Sequence, residues 1–259
     1  MFEHLSIPVL LLCFVAAGAV TWLAGIRLTN STAVLATRFG LGQALGGLLL
    51  LAIATNLPEL AITVSAALGQ HLDLAIGNIL GGIAMQTLVL VVFDAVGLGR
   101  QAALTYRVAS LGLVLEGILV LAVLATAVLG SQLPTTAIVA RVPPASLLIA
   151  GLWVVGVWLI GKAQQGLPWQ AKDAPPARPP ADPAQPAAAS TTRTVLGFVA
   201  AAGATLVAGV VLERSGDALA NHLGMSGVLF GATVLAAATS LPEVSTGLAA
   251  VKAGNYELA

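Results

Sequence analysis

Two short stretches of this chain carry the residue types that bind ions. They are Ala54-Thr55-Asn56-Leu57-Pro58-Glu59 and Ala238-Thr239-Ser240-Leu241-Pro242-Glu243, the second a near copy of the first 184 positions on (58 to 242, 59 to 243). Each sets a carboxylate directly after a proline, inside a long apolar run. Proline within a helix removes one backbone hydrogen bond and crowds the carbonyl four residues earlier. Pro58 should therefore free the carbonyl of Ala54, and Pro242 that of Ala238. Thr55 and Glu59 are four apart and share a helix face, as do Thr239 and Glu243. Carboxylate, hydroxyl, amide and carbonyl oxygens are hard ligands, suited to sodium or calcium rather than zinc or copper. The expected metal-ligating set is Glu59, Glu243, Asn78, Thr55, Thr239, Ser240 and Asn56, with Asn78 entering from the next apolar run and Asn56 serving either as ligand or as hinge. Two carboxylates brought together in a poorly hydrated place repel each other, and a divalent cation, several sodium ions or protons would each relieve that charge.

The elements that position these residues follow from composition. Of 259 residues, 58% are hydrophobic and only 8% charged, where a soluble domain carries about a quarter charged residues. This is the composition of an integral membrane protein, and at membrane depth an ionisable side chain is a functional-site hypothesis by default. A net charge of zero gives no basic field for nucleic acid. One cysteine, Cys13, excludes a disulfide framework and a thiolate cluster. No resident cofactor is expected; Ca2+, Na+ or H+ would be transported substrates. Met1-Phe2-Glu3-His4 lacks the positive region of a signal peptide, so the first apolar run reads as a retained span.

Apolar runs of about twenty residues mark transmembrane helices. The spacing predicts spans over roughly 5–26 (closed by Arg27), 41–69 (interrupted at Pro58), 72–97, 104–130, 144–162, 194–212 and 225–252 (interrupted at Pro242). Residues 1–163 form a first repeat of five spans. Residues 164–193, with seven prolines, read as a solvated extended linker. Residues 194–259 begin a second repeat. The fold class is an all-α polytopic membrane protein with discontinuous second and seventh helices, about seven spans of an expected ten, and the chain reads as C-terminally truncated.

Lysine and arginine placement sets the orientation. With the N-terminus outside, Arg27, Arg38, Arg100, Arg107, Lys162, Lys172, Arg178, Arg193 and Lys252 fall inside, and only Arg141 and Arg214 outside. The linker is then cytoplasmic in a cell (inner) membrane protein. An odd number of spans separates the two copies, so they are inverted. The match extends to Gly40-Leu41-Gly42 with Gly224-Met225-Ser226, Gly47 with Gly231, Ala66 with Ala250, and Leu74-Ala75 with Leu258-Ala259. Inverted repeats with interrupted helices point to a transporter whose site lies near the bilayer midplane.

These residues resemble the calcium/cation antiporter superfamily that includes the sodium/calcium exchangers. Its repeats carry Gly-Thr-Ser-x-Pro-Glu on one helix and Gly-Asn or Gly-Asp, followed by Gly-Ser-Asn, on the next. Here the first repeat reads Ala54 to Glu59 and then Gly77-Asn78-Ile79-Leu80-Gly81-Gly82; the second reads Ala238 to Glu243. Asn56 stands where serine is usual, and Gly82-Ile83 where Ser-Asn is usual. The resemblance implies antiport of calcium or another cation against sodium or protons, with spans one and six as the sliding pair. Two other readings stay open: a transport-inactive fragment or half needing a partner chain, and a membrane enzyme using the two glutamates as acid and base. The expected partners are small inorganic cations and the lipid bilayer; oligomeric state is open.

Other polar residues have blander readings. Glu116, amid hydrocarbon, reads as a structural partner facing a cavity. Asp94 reads as a solvated cap. His4, His71 and His222, at span ends, read as exposed loop histidines. The Gly77–Gly82 run lacks the Lys-Ser/Thr and preceding strand of a phosphate loop, and close helix packing accounts for it.

Overall fold

In the computed structural model, residues 2–38, 48–98, 103, 104, 111–134, 136–139, 141–163, 190–252 and 256 are described. Gly40, Leu41, Gly42, Gly47, residues 164–189, Leu258 and Ala259 lie outside them. Among the described residues the elements are helices, apart from a single bridge between Val139 and Val142. Their outward faces stay apolar: Leu12 is 70% exposed, Leu68 80% and Val207 66%. Such faces suit lipid, where every backbone polar group must be satisfied within its own helix. Among the described residues, five helices are long and apolar enough to cross a membrane, or six if the bent pair Gly227–Thr239 and Leu241–Lys252 is counted as one span. The chain is an all-helical, multi-pass membrane protein.

The described helices fall into two compact units. The first holds α1 (Ile7–Arg38), α2 (Leu48–Thr55), α3 (Leu57–Gly69) and α4 (Leu72–Val92) with a wider π-helical turn at Phe93–Leu98. The second is a hairpin of α5 (Leu111–Gly130) and α6 (Pro144–Ala163). To the first unit the chain then returns α7 (Thr191–Leu223), α8 (Gly227–Thr239) and α9 (Leu241–Lys252).

Within the first unit α1 lies along α7, and the two run antiparallel. Leu10 and Phe14, near the start of α1, share a core with Ala218, Leu219 and Ala220 near the end of α7. Arg38, at the end of α1, donates a 2.7 Å hydrogen bond to Thr191 at the start of α7. Repeat-equivalent helices thus point in opposite directions, as an inverted pair must. Each long helix also packs on the other half's broken helix: α7 on α3, and α1 on α9. Phe14 and Phe230 meet edge to face at 5.9 Å, closing one end of this core.

Two helices run further than the hydropathy pattern predicts. The first span was expected to close at Arg27, yet α1 continues to Arg38. Arginine is a good helix former and no glycine or proline intervenes, so charge alone does not stop the helix. The sixth was expected to end at 212, yet α7 reaches Leu223 before Gly224 turns it at φ 67°. Its last turns keep Glu213, Arg214 and Asp217 helical by pairing them.

In the hairpin, Gly156 lies against Leu119 and Gly130 against Ala145. Glu116 is exposed on the surface of this unit, where the pattern suggested a cavity-facing partner; the hairpin contacts run through Leu119 and Gly130 of α5 and leave the carboxylate outside. Lys162 covers the Trp158 ring at 5.1 Å, a cation–π contact near the end of α6.

Candidate ion site

The two breaks are built alike. Asn56, between α2 and α3, has φ −87° and ψ 5°; Ser240, between α8 and α9, has φ −81° and ψ 0°. Both sit in the sparsely allowed bridge region that recurs at functional sites. The backbone bonds around them also match. Asn56 and Ser240 N–H donate to Ala52 and Ala236 at 3.2 and 3.0 Å. Leu60 and Val244 N–H donate back to Asn56 and Ser240 at 3.0 and 3.1 Å. Thr55 and Thr239 hydroxyls donate to those same Ala52 and Ala236 carbonyls at 3.3 and 3.2 Å. At the second break the helix bends by 45°.

Each break starts a new helix whose first turn carries the glutamate. Glu59 and Glu243 both stand third in their helices, where backbone N–H groups have no intrahelical partner. The Thr239 hydroxyl also faces Glu59, and the two carboxylates are near enough to repel. The structure therefore brings Glu59, Glu243 and Thr239 together across the two halves. One oxygen of each glutamate, Oε2, is buried without a hydrogen-bond partner among the described residues.

Asn78 lies in the first half of α4 and is fully buried, with Oδ1 and Nδ2 both unpaired among the described residues. Its neighbours explain its placement. A methyl added at Gly77 or Gly81 would strike the backbone of Val228 or Ala232, and one added at Gly231 would strike that of Leu74. Helices α4 and α8 thus touch backbone to backbone on the face that carries Asn78. A π-helical turn at Gly231–Leu235 widens α8 beside this contact, a distortion frequent at functional sites. Gly82 has open space beside it, so the packing role belongs to Gly77 and Gly81.

The remaining expected ligands divide. Ser240 is buried at its break, and Thr55 is half-buried at the end of α2. Asn56 is exposed and its Nδ2 donates to Ala52 O at 2.7 Å, so the structure does not bring it to the buried oxygens. Among the described residues no three His, Cys, Asp or Glu side chains are grouped as a metal cluster would be.

A second polar cluster escaped the sequence reading. Glu213 of α7 has no exposed surface. It accepts from Ser65 Oγ of α3 at 2.6 Å, pairs with Arg214 Nε at 3.2 Å and meets His71 Nδ1 at 3.0 Å. The other ring nitrogen of His71 lies 3.7 Å from Asp217. His71 is therefore no plain loop histidine: it ties the α3–α4 turn to α7. His4 and His222 are exposed as expected, but neither lies in a loop: His4 ends a 3-10 turn at Phe2–His4, and His222 stands in the last turn of α7 with Nδ1 2.9 Å from the Ala218 carbonyl oxygen. Asp94, expected as a solvated cap, instead accepts the Leu104 backbone N–H at 2.6 Å.

The repeat also reaches further than the motifs that revealed it. Ala17, Thr21, Ala24 and Leu28 of α1 correspond, at the same 184-residue offset (17 to 201, 28 to 212), to Ala201, Thr205, Ala208 and Leu212 of α7, and all eight are buried. Applying the offset to spans one and six would have found them.

Comparison with known proteins agrees with this architecture. The family described as "Sodium/calcium exchanger protein" matches residues 9–161 and 193–259. The protein named "Putative antiporter CaxA", from Alkalimonas amylolytica, is 28% identical over 235 residues, covering 90% of this chain and 68% of that protein. No solved structure matches the chain. With two like-built breaks facing each other across antiparallel halves and a family match over most of its length, this chain belongs to the sodium/calcium exchanger protein family.

Proposed function

We propose that the protein is a secondary active antiporter that exchanges calcium, or another cation, for sodium or protons. The observation that carries this reading is the set of buried oxygens without a hydrogen-bond partner among the described residues: Oε2 of Glu59, Oε2 of Glu243 and Oδ1 of Asn78. A buried polar atom left unpaired costs about 1–3 kcal/mol, and a hard cation would satisfy all three. Calcium takes six to eight such oxygens at about 2.3–2.6 Å. Thr55, Thr239 and Ser240 would add hydroxyl or carbonyl oxygens, and Asn56, exposed at its break, acts as a hinge. The family match and the antiporter relative support the same class of function.

The exchange rule follows from charge. Without a cation, two facing carboxylates resist the closing of hydrocarbon around them, so α1 and α7 stay on one side. With their charge neutralised the site can be occluded and reopened opposite. The lysine and arginine bias supports an external N-terminus and a cytoplasmic 164–193 linker in the cell membrane. The test is calcium uptake by reconstituted vesicles under imposed sodium and pH gradients. Uptake should follow a gradient in the wild type and vanish in Glu59→Gln and Glu243→Gln. Undiminished flux in both variants would remove the two glutamates from the site.

A further inference from the structure

Each proline break is covered by a glycine of the other half, and the two contacts are related by the repeat. A methyl added at Gly25 of α1 would lie 2.6 Å from Cβ and 2.8 Å from Cγ of Pro242. One added at Gly209 of α7 would lie 2.7 Å from Cβ of Ala61 and 3.0 Å from the carbonyl oxygen of Pro58. Gly25 and Gly209 are themselves 184 positions apart, as are Pro58 and Pro242. Carbon atoms settle at about 3.5–4.0 Å, so neither contact leaves room for a side chain.

We propose that Gly25 and Gly209 are positioning residues of the ion site: by lacking a side chain they let each long helix seat the opposite break, and so set where Glu243 and Glu59 stand. This inference rests on the antiport reading and names residues that act through the glutamates. The proline ring is rigid and cannot swing aside as a flexible side chain would. A methyl at Gly25 must displace the whole turn, and Glu243 follows Pro242 directly. Both long helices are also held close beside these contacts. Trp22 Nε1 of α1 donates to Ser245 Oγ of α9 at 2.5 Å, and Glu213 of α7 accepts from Ser65 of α3. The helix cannot simply retreat, so the break yields. Coordination tolerates little of this, because metal–oxygen distances in a good site fall within about 0.2 Å of their ideal.

Gly18 and Gly203 supply the controls. They lie on the same two helices, and a methyl there meets nothing within 4 Å. Glycine to alanine has the same effect on helix propensity at all four positions, and only the contact differs. The experiment measures half-saturating calcium for gradient-driven uptake by vesicles containing wild type, G25A, G209A, G18A or G203A. G25A and G209A should raise it about tenfold or more, as a misplacement near 1 Å does in a preorganised site. G18A and G203A should stay within about twofold of the wild type. The double variant G209A/A61G should stand between G209A and the wild type, because losing the Ala61 methyl leaves the Pro58 carbonyl contact. Should G209A yield no folded protein, the double variant decides: folded, with half-saturation above the wild type, it supports the proposal. Wild-type behaviour in G25A and G209A overturns it, as does an equal loss in all four single variants. A double variant at the wild-type value, no better than a folded G209A, or itself unfolded also overturns it. A wild type without gradient-driven uptake sinks the antiport reading itself, a different result from glycine variants that match a working wild type.

Discussion

Ser65 of α3 donates a 2.6 Å hydrogen bond to the buried carboxylate of Glu213 on α7, joining the helix that carries Glu59 to the longest helix of the other half. The same carboxylate holds Arg214 and His71. Deleting this carboxylate removes all three contacts at once and leaves a gap between α3 and α7, and each hydrogen bond to a charged group contributes about 1.5–3 kcal/mol. Glu213→Ala should therefore destabilise strongly, and Ser65→Ala by about 1–3 kcal/mol. Thermal unfolding in detergent reads both; if Ser65→Ala proves the more damaging change, Glu213 is not the hub.

Asn78 should behave oppositely. Its amide has no partner among the described residues, so replacing it by leucine, which keeps the same branched outline with bulkier ends, removes an unsatisfied group. Such swaps are close to neutral or stabilising. Asn78→Leu is expected to melt at or above the wild-type temperature while its half-saturating calcium rises about tenfold, the loss of roughly 1.4 kcal/mol of binding. A variant that melts far lower would make Asn78 a structural residue.

On the proposed shared site, the losses of Glu59 and Glu243 should not add. Either single glutamine variant is expected to remove gradient-driven calcium flux, and the double variant to be no worse. Flux measured in parallel for all three checks this; a single variant that keeps most of its rate breaks the shared-site picture.

Calcium should also protect the fold. A ligand at one hundred times its Kd adds about 2.7 kcal/mol of stability. Melting in the presence of calcium should rise for the wild type and stay flat for Glu59→Gln. An equal rise in both would place calcium elsewhere.

Asn56 and Ser240 share backbone angles but not surroundings, since Asn56 is exposed and Ser240 buried. Ser240→Ala should weaken calcium uptake more than Asn56→Ala, measured as half-saturating concentration in the same vesicles. The reverse order would assign the ligand role to Asn56.

How much of this was legible in the sequence depends on what each residue answers to. Pro58 and Pro242 announce themselves because proline cannot continue a helix, and each marks a break in the structure. Asn78 was found because an amide in an apolar run is conspicuous. Glu213 was equally conspicuous but lay just past the expected end of span six. Its partners Ser65 and His71 come from residues 142 or more positions away, and no local pattern announces such a pairing. Asn56 shows a related limit: the motif copies the backbone faithfully, while exposure depends on what the opposite half places beside it. Gly25 and Gly209 were invisible in isolation, since glycine is common throughout these helices and only the facing proline gives two of them a purpose.

The crossed contacts have a consequence for how such a protein could arise. Gly25 touches Pro242 while its counterpart Gly209 touches Pro58, so partner i meets j and j meets i. That is the signature of an isologous interface, the kind two identical subunits form about a two-fold axis. An ancestral single half, able to insert in either direction, would already have possessed both grips as a homodimer. Fusion of two genes would then have added a tether without inventing a new surface.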